Sequence, residues 1–403
     1  MEVNESKVLY TDEKLAALHL FEAYPSCLMD FAAYTCILFM LVGIPGNLIT
    51  VISLARYKKV RNATAIFIIN LSFCDFLYCC INLPMSATTF WTRTWPYGGF
   101  MCQFFPFMRF ALAGVSIFTI VAITINRYIM VSHPQLYTKI YTSRNLGIIV
   151  ATTWLLSFAL LTPIWTESWG RFGMDPTSFC VVLPDHNGNS PKKFLFVFAF
   201  VLPFITISFC YARIFYIVRK TTAKSRGNIR KRHQPDKDDS SIATSSPDSD
   251  ITSNQQPISP ENPPEHPRVQ SLRAPLSVII SVPDERSSRS KNSIINIGKT
   301  INLRKSQLLD KAAPTSKDKR LLTMITAIMV TFFICYTPIT IIQVFQDVSK
   351  PTPTAVIWSY ILRYLTSCSN PIIYVLLSKE YRKAYRKMLV LPSCKNKSCD
   401  CWR

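Results

Sequence analysis

The chain has 403 residues, 49% of them hydrophobic and only 17% charged, yet its formal net charge is +21. A soluble globular surface does not combine so much apolar mass with so strong a charge, so the two must be segregated along the chain. Nucleic-acid binding, a common meaning of a basic balance, is not expected, because the cations flank apolar runs and no folded basic domain is visible; anionic inner-leaflet lipid and an acidic protein partner are the expected counterparts.

Nearly uncharged runs recur at residues 27–55, 65–90, 99–125, 145–165, 194–218, 321–345 and 354–377. Each is near or above the ~20 residues that a spanning helix needs. The expected fold is therefore an all-α membrane protein, a seven-transmembrane helix bundle, with an outer segment at 1–26, helices one to five in 27–219, a long loop at 220–317, helices six and seven in 318–377 and a tail at 378–403.

The first segment is acidic, with Glu2, Glu5, Asp12, Glu13 and Glu22, whereas the first connection carries Arg56, Lys58, Lys59 and Arg61. The positive-inside rule then puts the N-terminus outside and the C-terminus in the cytoplasm, as in a multi-pass plasma-membrane protein. No cationic region with a short apolar core precedes the first run, so the first span is expected to direct insertion without a cleaved signal peptide. Asn4-Glu5-Ser6 is a usable glycosylation sequon, or a chance match; Asn62-Ala63-Thr64 and Asn396-Lys397-Ser398 fall on the cytoplasmic side. Cys27 is expected to be unpaired.

Asp75 lies mid-span in the second run, with Asn47 and Asn370 at comparable depth in the first and seventh. Ionisable groups at that depth are costly and face the bundle interior. These oxygen-bearing side chains suit a small cation or a water network, or simply an interhelical hydrogen-bond cluster.

The third run starts at Cys102 and ends at Arg127, in Asn126-Arg127-Tyr128. At 1.5 Å per residue that helix spans about 37 Å, so the cysteine and the arginine sit at opposite membrane surfaces. Arg109 precedes Arg127 by five whole turns and Ser116 by two, which places all three on one face. Cys180 lies in the outer loop between spans four and five, where a disulfide is chemically allowed. In the seventh run Arg363 precedes Asn370 by two turns and also faces inward. Two inward cations in an outer cavity call for a ligand with an anionic group; the rival is that each pairs internally, with Glu167 or Asp347, or snorkels outward.

Residues 220–317 are rich in Ser, Pro, Asp and Lys and cannot build a core. Ser246-Pro247 and Ser259-Pro260 are phosphorylation candidates within what is otherwise a solvated linker. Pro84, Pro163, Pro203, Pro338 and Pro371 interrupt five spans, and kinks there suit a bundle that changes shape at its inner end. From Lys379 to Leu391 the pattern is that of a short basic amphipathic helix lying on the inner leaflet. Cys394, Cys399 and Cys401 beyond it are palmitoylation candidates, with a zinc site as the rival.

Seven spans, the Cys102 and Cys180 pair, Asn126-Arg127-Tyr128 and Asn370-Pro371-Ile372-Ile373-Tyr374 together resemble the rhodopsin-like G-protein-coupled receptors. Gly46-Asn47, Asp75, Trp154, Pro203, Tyr211 and Pro338 add to the likeness. The resemblance implies a Cys102–Cys180 disulfide, a heterotrimeric G protein as partner with arrestin and kinases besides, and no cofactor other than an allosteric sodium ion at Asp75, Ser116 and Asn370. It implies that Arg127 restrains the resting state through local polar contacts, with Asp318 as its partner at the foot of span six, and later forms the G-protein pocket. Tyr211 and Tyr374 would swing together on activation, and Arg109, Arg363, Tyr336 and Tyr360 would face the ligand.

Three positions depart from the family pattern. Asn126 stands where the triplet usually begins with Asp, and Tyr336 where span six commonly has Trp; both imply raised basal signalling. Arg109 stands where an amine receptor carries Asp, which disfavours amines. The subgroup that this pattern resembles is the insect receptors called trapped in endoderm and moody, which implies a role in cell migration, polarity or epithelial barrier formation. A peptide ligand is the alternative within the fold. A channel or transporter is the alternative outside it, but paired inverted repeats are absent. Residues 354–377 contain no lysine for retinal, and no nucleophile and base pairing suggests an enzyme.

Overall fold

A computed structural model describes residues 12–56, 62–185, 187–232, 316–345 and 351–389, without the side chains of 224–232, 316–319 and Leu389. The chain falls into two units. One comprises residues 1–221 and 312–403; the other, residues 222–311, is described only through helical backbone that runs to Arg232.

The first unit is a helix bundle. A short α1 (Asp12–Ala17) leads into α2 (Ser26–Arg56), α3 (Ala63–Thr92), α4 (Gly98–Ser132), α5 (Pro134–Ile140), α6 (Ser143–Ala159) and α7 (Thr162–Trp165). A hairpin of β1 (Arg171–Asp175) and β2 (Phe179–Leu183) follows. Then α8 (Lys192–Phe196) passes through one π turn at Val197–Val201 into α9 (Leu202–Arg232). The chain closes with α10 (Ser316–Phe345), α11 (Pro353–Leu377) and α12 (Lys379–Leu389).

Each long helix coincides with one uncharged run, as expected where no water is at hand to satisfy an open backbone. Six of them are long and apolar enough to cross a membrane. The seventh, α11, has 25 residues and is more polar, but Ser359, Arg363, Thr366, Ser367 and Asn370 are all buried in the bundle. Local chemistry sets the helix starts. Asn62 Oδ1 accepts from the Ala65 N–H at 2.9 Å, and Thr142 and Thr352 cap α6 and α11 in the same way.

The five prolines fall within or beside the long helices. Pro84, Pro338 and Pro371 lie inside unbroken helices, as do Pro45 and Pro106. Pro163 lies in the first turn of α7, just past the break after α6, and Pro203 follows the π turn.

Small residues let the helices approach. A side chain at Gly43 would meet Cys79 Sγ at 2.6 Å, and one at Gly114 would meet Ser157 Oγ at 2.9 Å, so α3 and α6 seat small side chains directly on the glycines of α2 and α4. Hydrogen bonds then fix the register. Asn47 Nδ2 donates to the Ser367 carbonyl at 2.8 Å, joining α2 to α11. Trp154 Nε1 donates to Asn70 Oδ1 at 2.8 Å, and Asn70 Nδ2 to Thr119 Oγ1 at 2.7 Å, joining α6, α3 and α4.

The apolar core has two main parts. One, around Phe90, Trp95, Phe105 and Phe179, lies at the end that holds the Cys102–Cys180 disulfide. The other, around Phe67, Ile123, Met324 and Tyr374, lies towards Arg127. Helix α12 is tied to the second: Tyr385 and Thr50 hydroxyls share a hydrogen bond of 2.7 Å, Tyr381 stacks on Tyr374, and Arg382 Nη1 donates to the Val375 and Leu376 carbonyls.

Candidate functional site

At the disulfide end the helices enclose a cavity of about 690 Å³. Arg109, Arg363, Tyr336 and Tyr360 all line it, beside apolar side chains such as Phe118 and Phe200. The two arginines are 1% and 4% exposed. Arg109 Nη2 donates to the Cys180 carbonyl at 3.2 Å, while its Nε and Nη1 have no hydrogen-bond partner. Arg363 Nε and Nη2 have none either. Among the described residues no carboxylate lies within 4.0 Å of either guanidinium, so the internal pairing of Arg363 or Arg109 with Glu167 does not form; Asp347 lies outside the described residues.

What holds them instead is aromatic. The Arg109 guanidinium sits over the Phe105 and Phe110 rings at 5.1 and 5.3 Å, and that of Arg363 over Tyr360 and Tyr364 at 5.2 and 5.5 Å. Ring faces are weak counter-charges, worth roughly 2 kcal/mol when desolvated, well short of an ionic partner. The guanidiniums also repel each other.

The chain just before α2 covers part of this cavity. Phe21, 2% exposed, packs on Phe90 and Phe179, and its N–H donates to the Pro176 carbonyl at 3.0 Å. Tyr24 lines the cavity and donates its O–H to the Thr177 carbonyl at 3.1 Å. Burial, then Tyr360 and Asp175, push the Tyr24 hydroxyl up to about 12, so it remains a neutral donor at any physiological pH.

Below the cavity, Tyr336 stacks on Phe332 at 4.3 Å and also borders a small chamber of about 10 Å³. Asp75, Ser116, Thr366, Ser367 and Asn370 line that chamber. Asn370 Nδ2 donates to Asp75 Oδ2 at 2.7 Å, and Ser116 Oγ stands 3.5 Å from Asp75 Oδ1. The three residues read together from the sequence are thus brought together, with Asn370 presenting its donor to the carboxylate.

At the opposite end Arg127 is 5% exposed. Its Nη2 donates to Thr64 Oγ1 at 2.5 Å, and the same hydroxyl donates to Asn126 Oδ1 at 3.1 Å. One threonine on α3 therefore joins both members of the pair on α4. A recess of about 440 Å³ opens beside them, lined by Asn62, Thr64, Arg127, Arg320 and Lys383. Tyr211 and Tyr374 border the same core but are not bonded to each other, and neither hydroxyl has a partner.

Over residues 46–374 the chain matches the family described as 7 transmembrane receptor (rhodopsin family). It belongs to that family. As a member of this family it is a multi-pass membrane protein of the receptor class rather than an enzyme. It is similar to the G-protein coupled receptor moody of Drosophila pseudoobscura pseudoobscura, 37% identical over 90% of this chain and 52% of that protein. It is also similar to Protein trapped in endoderm-1 of Drosophila melanogaster, 28% identical over 94% of this chain and 82% of that protein. The chain thus spans about half the length of the moody proteins it matches. Squid rhodopsin shares the fold, with a TM-score of 0.63 at 19% identity over 98% of this chain and 94% of that one.

Several anticipated receptor residues have no described side chain. Asn4, Cys394, Cys399 and Cys401 lie outside the described residues, as do Ser246 and Ser259. Asp318 falls in the first turn of α10, but its side chain is outside the described set, so the Arg127–Asp318 contact is not on view. Cys27 is free, as expected. Thr64, Tyr78 and Asn82, in contrast, were not singled out from the sequence. A threonine near a helix start and polar residues four apart on a helix carry no signal until a second helix faces them.

Proposed function

We propose that this receptor responds to an extracellular anionic ligand that reaches Arg109 and Arg363, and relays the event to the G-protein site at Arg127. One observation carries the ligand class: two deeply buried guanidiniums line one cavity, each with two nitrogens that have no partner. Buried charge is costly unless paired, so a site built this way favours an anion strongly over a neutral or cationic guest. Arg109 at this position also removes the carboxylate that an amine would need.

The relay runs through Tyr336, which borders both the ligand cavity and the Asp75 chamber. A ligand that moves Tyr336 repacks Phe332 and shifts α10, the helix that bears Asp318. Arg127 is then released from Thr64 into the recess beside it, where the G protein docks. The Asp75 chamber has the volume of about one water molecule. With a carboxylate and hydroxyl oxygens around it, Asp75 and Ser116 would hold a sodium ion that favours the resting state, while Asn370 orients the carboxylate. The N-terminus faces outward at the plasma membrane. Likeness to the moody and trapped in endoderm receptors supports a role in cell migration, polarity or epithelial barrier formation, with arrestin and kinases ending the signal.

G-protein dissociation in cells is the test, with anionic lipids applied to wild type, Arg109→Gln and Arg127→Ala at matched surface expression. Arg127→Ala should lose the response, and Arg109→Gln should weaken it at least tenfold, the equivalent of about 1.4 kcal/mol. A full response from Arg127→Ala sinks the relay; an unchanged response from Arg109→Gln, or a response to peptides alone, sinks the anionic site.

A further inference from the structure

The recess beside Arg127 holds a sulfur as well as polar groups. Arg127 Nη1 donates to Met130 Sδ at 3.5 Å, one turn further along α4, while Nη2 of the same guanidinium donates to Thr64 Oγ1 at 2.5 Å. Met130 lines the recess of about 440 Å³ together with Thr64 and Arg127, and it is only half-buried. Met324 and Met329 at the same end are 0% and 6% exposed, packed in the core around Phe67 and Ile123. Met130 thus both touches the switch arginine and stands open to the recess.

We infer that Met130 is a redox modification site: oxidation of its thioether to the sulfoxide fastens Arg127 in the resting position and lowers G-protein signalling, an inference that rests on the reading of Arg127 as the switch. The oxidant is hydrogen peroxide. A sulfur lone pair attacks one peroxide oxygen, the O–O bond breaks, and the departing hydroxide takes the proton of the transferred oxygen to leave as water. Sulfur gives up two electrons and peroxide gains them. Thioether sulfur has two lone pairs, so the bond from Arg127 leaves one for the peroxide. Arg127, with Arg320 and Lys383 on the same recess, puts positive charge where the hydroxide departs. Reductases, one for each epimer, return the sulfoxide to the thioether, so the step is reversible.

The effect on Arg127 follows from what the sulfur becomes. A thioether is a weak acceptor, whereas the guanidinium is charged at every accessible pH and always a donor. An oxygen on Met130 Sδ projects one bond length beyond it. Toward Nη1 it converts a 3.5 Å sulfur contact into a charge-assisted N–H···O bond, typically about 2.7–2.9 Å long and about twice as strong as a neutral one. The guanidinium is a rigid planar fork, so Nη1 on Met130 and Nη2 on Thr64 form one geometry. Strengthening one prong stabilises the arrangement that the other also holds.

The test uses full-length receptor purified into phosphatidylcholine nanodiscs, exposed to hydrogen peroxide, cleared with catalase, and only then mixed with the G protein that wild type activates in cells. Mass spectrometry reads oxygen uptake at each methionine, and nucleotide exchange reads basal signalling. Met130 should take up oxygen well before Met324 and Met329. Exchange should fall about fivefold in step with Met130 oxidation, the order of the step from a neutral to a charge-assisted bond. Met130→Leu, which keeps the bulk without an oxidisable sulfur, should hold its exchange through the treatment. Met130→Gln, which puts a carbonyl oxygen near the same point, should start low and not respond to peroxide. In Thr64→Val the drop should be smaller, because one prong of the fork is already gone.

Oxidation of Met130 no faster than that of Met324 or Met329, or an equal drop in Met130→Leu, overturns the inference. An equal drop in Thr64→Val and wild type overturns the hold on Arg127, since a sulfoxide that merely blocks docking needs no threonine. Oxidised Met130 with unchanged exchange overturns the inference as well. In that event the relay stands if Arg127→Ala is inactive and falls if Arg127→Ala exchanges fully.

Discussion

Replacing Thr64 with valine isolates the contact that stands in for the family's missing carboxylate. Thr64 is 1% exposed, and its hydroxyl accepts from Arg127 Nη2 at 2.5 Å while donating to Asn126 Oδ1 at 3.1 Å. Valine keeps the size and the branch, so packing against α4 is conserved while both hydrogen bonds go. A hydrogen bond to a charged group contributes about 1.5–3 kcal/mol, and its buried donor is left without that partner. If the bond exists only with Arg127 folded against α3, the resting state loses that amount and the active-to-resting ratio rises about 10- to 150-fold. A receptor active about one time in a hundred would become active between about a tenth and about 60% of the time. Basal G-protein dissociation at matched surface expression reads this directly. The companion Asn126→Asp should lower basal activity, since a carboxylate beside Arg127 makes a charge-assisted bond about twice as strong as a neutral one. Basal activity unchanged in Thr64→Val would show that the threonine does not restrain the arginine, and the reasoning from that contact would fail.

Asp318→Ala should raise basal signalling further, and the double variant with Thr64→Val should exceed either single one; no rise would remove the acid of α10 from the lock. Cys180→Ser opens a loop closed across 78 residues, a loss of about 4 kcal/mol, and frees the hairpin whose carbonyl holds Arg109, so surface expression and ligand affinity should both drop. Trp154→Phe removes one bond to Asn70 and should lower the stability of the purified receptor by about 1 kcal/mol in a thermal melt. Gly114→Val drives a side chain to within 2.9 Å of Ser157 Oγ and should cost about 1–3 kcal/mol, seen as a larger fall in the same melt.

How much of this was legible beforehand depends on what each signal encodes. Long uncharged runs specify spanning helices because an unpaired backbone is intolerable in hydrocarbon, and all seven helices coincide with those runs. Spacing along one helix specifies a face, so Arg109, Ser116 and Arg127, seven and eighteen residues apart, were bound to point inward together. The Cys102–Cys180 disulfide and the meeting of Asp75, Ser116 and Asn370 followed from family resemblance rather than from period.

Partners across helices carry no such period. That Thr64 reaches both Asn126 and Arg127, that Tyr385 of α12 bonds Thr50 of α2, and that the Tyr78 ring meets the Tyr364 ring all depend on how helices cross. The β1–β2 hairpin and the Phe21 cap were equally silent, because short segments between spans have too few residues to show alternation. The sequence by itself therefore determined which segments enter the membrane, which faces turn inward and that two cations lie among them. Only the tertiary structure decided that those cations meet no acid among the described residues, since whether a buried charge is paired is a property of the space between helices and of no helix alone.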